Sequence, residues 1–84
     1  MKLIWSEKSW DDYVAWQNQD KQIIKKINKL LKDIRRDPFC GIGKPEPLKH
    51  ELSGFYSRRI TDEHRLVYSV GSDAISIASC RYHY

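Results

Sequence analysis

Residues 20–38 read "DKQIIKKINKLLKDIRRDP", and the spacing of the apolar side chains within them decides the fold. Ile23, Ile24, Ile27, Leu30, Leu31 and Ile34 recur at intervals that place them on one stripe of an α-helix. Asp20 stands before the stripe and is suited to cap it, because a side-chain oxygen accepts from the free N–H groups of a first turn. Asp37-Pro38 ends it, since proline drives the residue before it out of helical geometry. The rest of the helix surface is cationic: Lys21, Lys25, Lys26, Lys29, Lys32, Arg35 and Arg36 face a single acid, Asp33. Any one of these lysines is explained as a solvated surface residue. The whole run, with so little acidic compensation, is better matched to a polyanion such as a phosphate backbone.

Upstream, "KLIW" (Lys2–Trp5) predicts a short opening strand. Ser6 or Ser9 can cap a first helix, with Asp11 and Asp12 in its early turns and Trp10, Tyr13, Val14 and Gln17 on one face. Downstream, "PFCGIGKPEP" (Pro38–Pro47) predicts a shaped loop without regular hydrogen bonding, because prolines and glycines punctuate it throughout. Its "GIGK" is no phosphate-binding P-loop: the glycine spacing is wrong and no Ser or Thr follows the lysine. Three segments rich in β-branched and aromatic residues come next, Phe55–Ile60, Arg65–Val70 and Ala74–Tyr82. The spacers "TDEH" and "GSD" carry turn chemistry, so the three predict an antiparallel meander. In the last of them the apolar parity switches, from Ile75 and Ile77 to Ala78, Cys80 and Tyr82. That switch predicts an interrupted pleat or a strand covered on both faces. Helices first and a meander after is the pattern of an α+β domain, with helices on one face of the sheet.

The chain has 84 residues and a formal net charge of +4. One domain, residues 1–84, is expected, and a chain this short buries only about 60–65% of the surface its unfolded form exposes. Hydrophobic residues at 40% and charged residues at 31% fit a globular chain rather than a disordered one. No apolar run is long enough to span a bilayer, and "MKLIWSEKSW" lacks the apolar stretch of a signal peptide. A cytoplasmic protein without membrane association is therefore expected, with Cys40 and Cys80 as free thiols. Neither cysteine has metal-site spacing, and His50, His64 and His83 pair with no neighbouring Cys or second His, so no metal or cofactor is expected.

Three features are hard to explain as structure alone. Across the "TDEH" hairpin, Arg59 and Arg65 fall opposite each other or one residue out of register. Like charges so placed repel. Local pairing with Asp62, Glu63 or Glu51 would make them ordinary surface residues; convergence on an anion would make them a phosphate site, and the two accounts weigh equally. Glu46 is held between Pro45 and Pro47, with Lys44 and Lys49 nearby. The clamp makes either a rigid turn or a positioned general base, although neighbouring cations lower a carboxylate's pKa where a base near neutrality wants it raised. The chain ends "CRYHY", and aromatic groups in the last residues suggest a docked end. His83 is the side chain best suited to donate a proton near neutral pH. A carboxylate, several cations, an imidazole and a phenol, with no clear Ser or Cys nucleophile, match metal-free RNA cleavage by the ribose 2′-hydroxyl.

The block "KPEPLKHELSGFYSRRITDEHRLVY" and the terminal "CRYHY" closely resemble the YoeB toxins, of the RelE/ParE superfamily of bacterial type II toxin–antitoxin systems. The resemblance runs the length of the chain. It implies a microbial-ribonuclease-like fold, two helices on a twisted antiparallel sheet. It implies an mRNA endoribonuclease acting in the ribosomal A site and arresting translation. By position, Glu46 would be the general base, His83 the general acid and Arg65 the stabiliser of the phosphorane, with Tyr84 at or beside the scissile group. Lys49 and Arg59 would bind phosphate. The implied partners are the ribosome and mRNA, a YefM/Phd-type antitoxin, operator DNA through the antitoxin complex, and a second copy in a homodimer. The rival reading within the superfamily is a ParE-like gyrase poison, which has no need of Glu46, Arg65, His83 and Tyr84.

Overall fold

A computed structural model describes residues 1–82 of the chain. The first helix, α1 (Glu7–Gln19), starts at Ser6, whose side chain accepts from the Ser9 N–H; of the two serines, Ser6 is the cap. A single residue, Asp20, separates α1 from α2 (Lys21–Arg36). Its carboxylate accepts from the N–H groups of Gln22 and Ile23, so the capping expected at this position is present. Ile23, Ile27, Leu30, Leu31 and Ile34 of α2 are buried, and the helix stops at Asp37 as the proline requires.

Strands β1 (Lys2–Trp5), β2 (Glu46–Pro47), β3 (Phe55–Arg59), β4 (Arg65–Val70) and β5 (Ala74–Ser79) form one sheet in the order β1-β5-β4-β3-β2. The meander β3-β4-β5 is antiparallel, and β1 joins its far edge parallel to β5. The result is the expected α+β architecture, with a mixed sheet. The core joins Ile27, Leu30 and Ile34 of α2 to Leu66 and Tyr68 of β4 and to Ile75 and Ile77 of β5.

Two local expectations are corrected. The proline-rich segment is not wholly loop: Glu46 pairs with Ser57 and Pro47 with Tyr56. β2 is the outermost strand, where a residue without an N–H costs no ladder bond on the open side. The last strand stops at Ser79 rather than Tyr82, after the pairing slips from Tyr68–Ile77 to Val67–Ser79. The extra residue, Ala78, is the bulge that lets both Ile77 and Cys80 be buried, which accounts for the parity switch.

The bulge also dictates which face of α1 is buried. Ser9, Asp12 and Trp16 are buried, whereas Trp10 and Val14 are exposed, about one residue round from the face expected. The reason is polar. Ser9 Oγ donates to the Ile77 carbonyl (2.7 Å), Asp12 accepts from the Cys80 N–H (3.1 Å) and Trp16 Nε1 donates to the Cys80 carbonyl (3.0 Å). Helix α1 thus supplies partners to backbone groups that the interrupted ladder leaves over. Trp10 and Tyr13 pack instead on Trp5 of β1.

Candidate functional site

The loop leading to β2 is held from below by Arg58, which is fully buried in β3. Its guanidinium donates from Nη1 to Asp33 (2.6 Å) and the Ile42 carbonyl (3.1 Å), and from Nη2 to the carbonyls of Asp37 (2.7 Å) and Cys40 (3.2 Å). Its Nε donates to the Tyr68 hydroxyl (3.1 Å), which donates in turn to the Pro38 carbonyl (2.7 Å). Asp33, the single acid of the cationic run, is therefore an internal ligand to Arg58 as well as a counter-charge to the exposed Arg36 (3.0 Å). The Arg58 guanidinium, the Ile42 N–H and Arg36 hold its carboxyl at about 2, well below the usual 3.8. Gly41 passes so close to this cluster that a β-carbon there would sit on the Asp33 carboxylate.

This anchoring presents Glu46 at the sheet edge. Glu46 pairs with Ser57 and Ser57 with Val67, so the three side chains share one face. Arg59 and Arg65 pair directly, which settles the register, and lie two residues along from Ser57 and Val67. They therefore occupy the same face as Glu46, whereas Arg58, Leu66 and Tyr68 point to the helix side. Two strand spacings and two residue rises put the Glu46 and Arg65 α-carbons about 12 Å apart. That span leaves room for a sugar–phosphate unit between the two backbone positions.

The arginine pair makes local contacts on the hairpin. Arg65 Nη1 donates to the carbonyls of Thr61 (2.5 Å), Asp62 (3.0 Å) and His64 (3.1 Å), which fixes it on the hairpin turn and offsets the repulsion. Arg59 Nη1 lies 3.7 Å from the exposed Asp62 carboxylate, a separation that contributes little. Lys49 is exposed and precedes a short 3-10 turn, His50–Leu52. Glu46, Lys49 and His50 line a shallow cavity of about 320 Å³. The cationic residues of α2 are exposed, except the half-buried Lys26, and Lys29, Lys32, Arg35 and Arg36 line a second cavity of about 600 Å³.

His83 and Tyr84 lie outside the described residues. The chain approaches them along a fixed path. Tyr82 donates its N–H to His64 Nδ1 (2.8 Å) and accepts at its carbonyl from the Arg65 N–H (3.1 Å). The last described residue is thus bonded to the backbone of a candidate site residue. Sequence reasoning missed Arg58, which it did not single out, and His64, which it placed only in the "TDEH" turn and among histidines without metal-site spacing. No local signal marks either, because the hydrogen-bond partners of their side chains lie 10 to 25 residues away. Among the described residues there is no group of three or more His, Cys, Asp or Glu able to hold a metal, and no helix long and apolar enough to cross a membrane.

A family profile described as "YoeB-like toxin of bacterial type II toxin-antitoxin system" matches residues 5–84. The chain is 73% identical over 84 residues to Toxin YoeB of Escherichia coli (strain K12), with 100% of both chains covered. It superposes on a YoeB/ParE toxin from Agrobacterium tumefaciens with a TM-score of 0.97 at 50% identity, covering 100% of each chain. It also matches the heterotetrameric YoeB-YefM toxin–antitoxin complex from Staphylococcus aureus, with a TM-score of 0.92 at 53% identity, covering 100% of this chain and 98% of that one.

Proposed function

The chain belongs to the YoeB-like toxins of bacterial type II toxin–antitoxin systems, and from that premise we propose that it is a ribosome-dependent mRNA endoribonuclease. Glu46 takes the proton of a ribose 2′-hydroxyl, which attacks the adjacent phosphorus. Arg65 stabilises the pentacoordinate phosphorane, with Arg59 and Lys49 holding the flanking phosphate charge. His83 donates a proton to the departing 5′-oxygen, and Tyr84 orients the scissile group. The bond broken is P–O5′, so the products are a 2′,3′-cyclic phosphate, or its opened form, and a 5′-hydroxyl. Base, charge and acid are all side chains, and the proposed mechanism needs no metal ion.

The observation that carries this reading is the placement of Glu46, Arg59 and Arg65 on one face of the sheet, away from the helices. The cationic face of α2 suits ribosomal RNA, leaving the sheet face for the message. Dependence on the ribosome follows from geometry: free single strands rarely hold the in-line arrangement, and orientation alone is worth several orders of magnitude in rate. A YefM-type antitoxin is the proposed inhibitor, in line with the Staphylococcus aureus complex, and the complex would bind operator DNA. The proposed compartment is the cytoplasm, where ribosomes are.

The test mixes the protein with an mRNA, with and without ribosomes, and maps the cut ends. Wild type should cut only with ribosomes and leave 5′-hydroxyl ends. Glu46→Gln, nearly identical in size, should slow cleavage by about 10²–10⁴-fold, the usual contribution of a general base. Cleavage by Glu46→Gln at the wild-type rate would refute the mechanism.

A further inference from the structure

His64 is a buried imidazole that the proposed chemistry does not use. It closes the turn before β4, with its N–H bonded to Thr61 Oγ1 and its carbonyl accepting from Ile60 and Thr61. Its ring is wedged edge-on against Trp16 of α1 (centroids 4.8 Å apart) and tilted against Tyr82 (5.4 Å). Nδ1 accepts from the Tyr82 N–H, so the ring is the neutral tautomer with its proton on Nε2, on the side of the exposed Glu63 carboxylate (3.7 Å).

The residue it holds needs holding. Tyr82 has φ +63°, a left-handed conformation that a residue with a β-carbon adopts reluctantly. Two hydrogen bonds fix it there, one donated by its N–H to the His64 ring and one accepted by its carbonyl from the Arg65 N–H. The Arg81 guanidinium adds cation–π contacts to the Trp16 ring (4.6 Å) and the Tyr82 ring (5.3 Å). Without the imidazole acceptor the Tyr82 N–H loses its partner and the left-handed turn one of its two restraints.

We propose that His64 is a positioning residue: Nδ1 locks the left-handed turn at Tyr82, whose carbonyl accepts from the Arg65 N–H, and so fixes the backbone that the proposed proton donor, His83, follows in sequence. This deepens the cleavage reading and rests on it. A proton donor displaced by about 1 Å loses as much as 10²-fold in rate while binding is untouched.

The experiment compares full-length wild type, His64→Phe and His64→Asn. Phenylalanine keeps a ring between Trp16 and Tyr82 but has no acceptor; asparagine places an oxygen near the position of Nδ1. His64→Phe should bind ribosomes within about threefold of wild type yet cut about 10–100-fold more slowly in a single turnover, with faster hydrogen exchange at the Tyr82 amide. His64→Asn should restore amide protection and bring the rate to within about fivefold of wild type. Wild-type cutting by a folded His64→Phe, or a Tyr82 amide equally protected in it, would overturn the proposal; so would an unprotected amide in His64→Asn. Should His64→Phe not fold, nitrogen NMR of the wild type decides: the neutral ring must carry its proton on Nε2, with coupling from Nδ1 to the Tyr82 N–H, and a proton on Nδ1 overturns the idea. If wild type itself fails to cut ribosome-bound mRNA, the cleavage reading fails while the amide and tautomer readouts still stand on their own.

Discussion

Tyr68→Phe deletes one buried oxygen and nothing else. The ring is fully buried and stays packed, stacked beside Tyr56 with centroids 6.0 Å apart. The lost hydroxyl accepts from Arg58 Nε at 3.1 Å and donates to the Pro38 carbonyl at 2.7 Å. Phenylalanine offers neither group a replacement, and the guanidinium is walled off from water. A bond to a charged donor contributes about 1.5–3 kcal/mol and one between neutral groups about 0.5–1.5, so the loss should come to about 2–4 kcal/mol. That is a large share of the roughly 4–12 kcal/mol expected for a chain of this length. In urea, with a slope of about 1.5 kcal/mol per M, the midpoint should fall by about 1.5–2.5 M without a change in slope. Thermal unfolding should drop by about 8–30 °C, taking 4–8 °C per kcal/mol for a chain of this size. Because Arg58 ties down the segment that delivers Glu46, cleavage should weaken along with stability. A urea midpoint within about 0.5 M of wild type, at equal slope, would show that the loop does not depend on this phenol.

Acid should unfold the protein through Asp33. Its folded pKa of about 2 lies below the ordinary 3.8, so its contribution is complete above about pH 4 and disappears as pH falls toward 2. Circular dichroism should show that acid limb flattened in Asp33→Asn, at the cost of lower stability at neutral pH. Gly43 has φ +80°, and a β-carbon there would stand 2.7 Å from a Leu30 methyl and 3.1 Å from the Arg59 carbonyl; Gly43→Ala should lose about 1–3 kcal/mol in a denaturant titration. The two thiols should separate by reactivity. Burial pushes Cys80 up to about 12 while Cys40 is exposed, so mass spectrometry should find only Cys40 alkylated in the native protein and both after unfolding.

The elements whose signals are local were legible before any fold was known. The stripe from Ile23 to Ile34 and its two aspartate boundaries mark α2, because periodicity and capping involve residues only a turn apart. The "TDEH" and "GSD" spacers mark the meander, and turn length limits its register, which is why Arg59 and Arg65 could be set opposite each other within one residue. The proline clamp drew attention to Glu46 for the same local reason. The remaining features emerge when distant segments meet. A strand at Glu46–Pro47 exists because β3 offers it an edge, and no pattern in the strand announces that. Helix α1 buries Ser9 and Asp12 rather than Trp10 because a bulge in β5, far along the chain, leaves backbone groups that need partners. Arg58 and His64 do their work through atoms contributed by the loop after α2 and by Tyr82. Hydrogen bonds between distant segments leave no period in the sequence; the folded chain alone brings their two ends together.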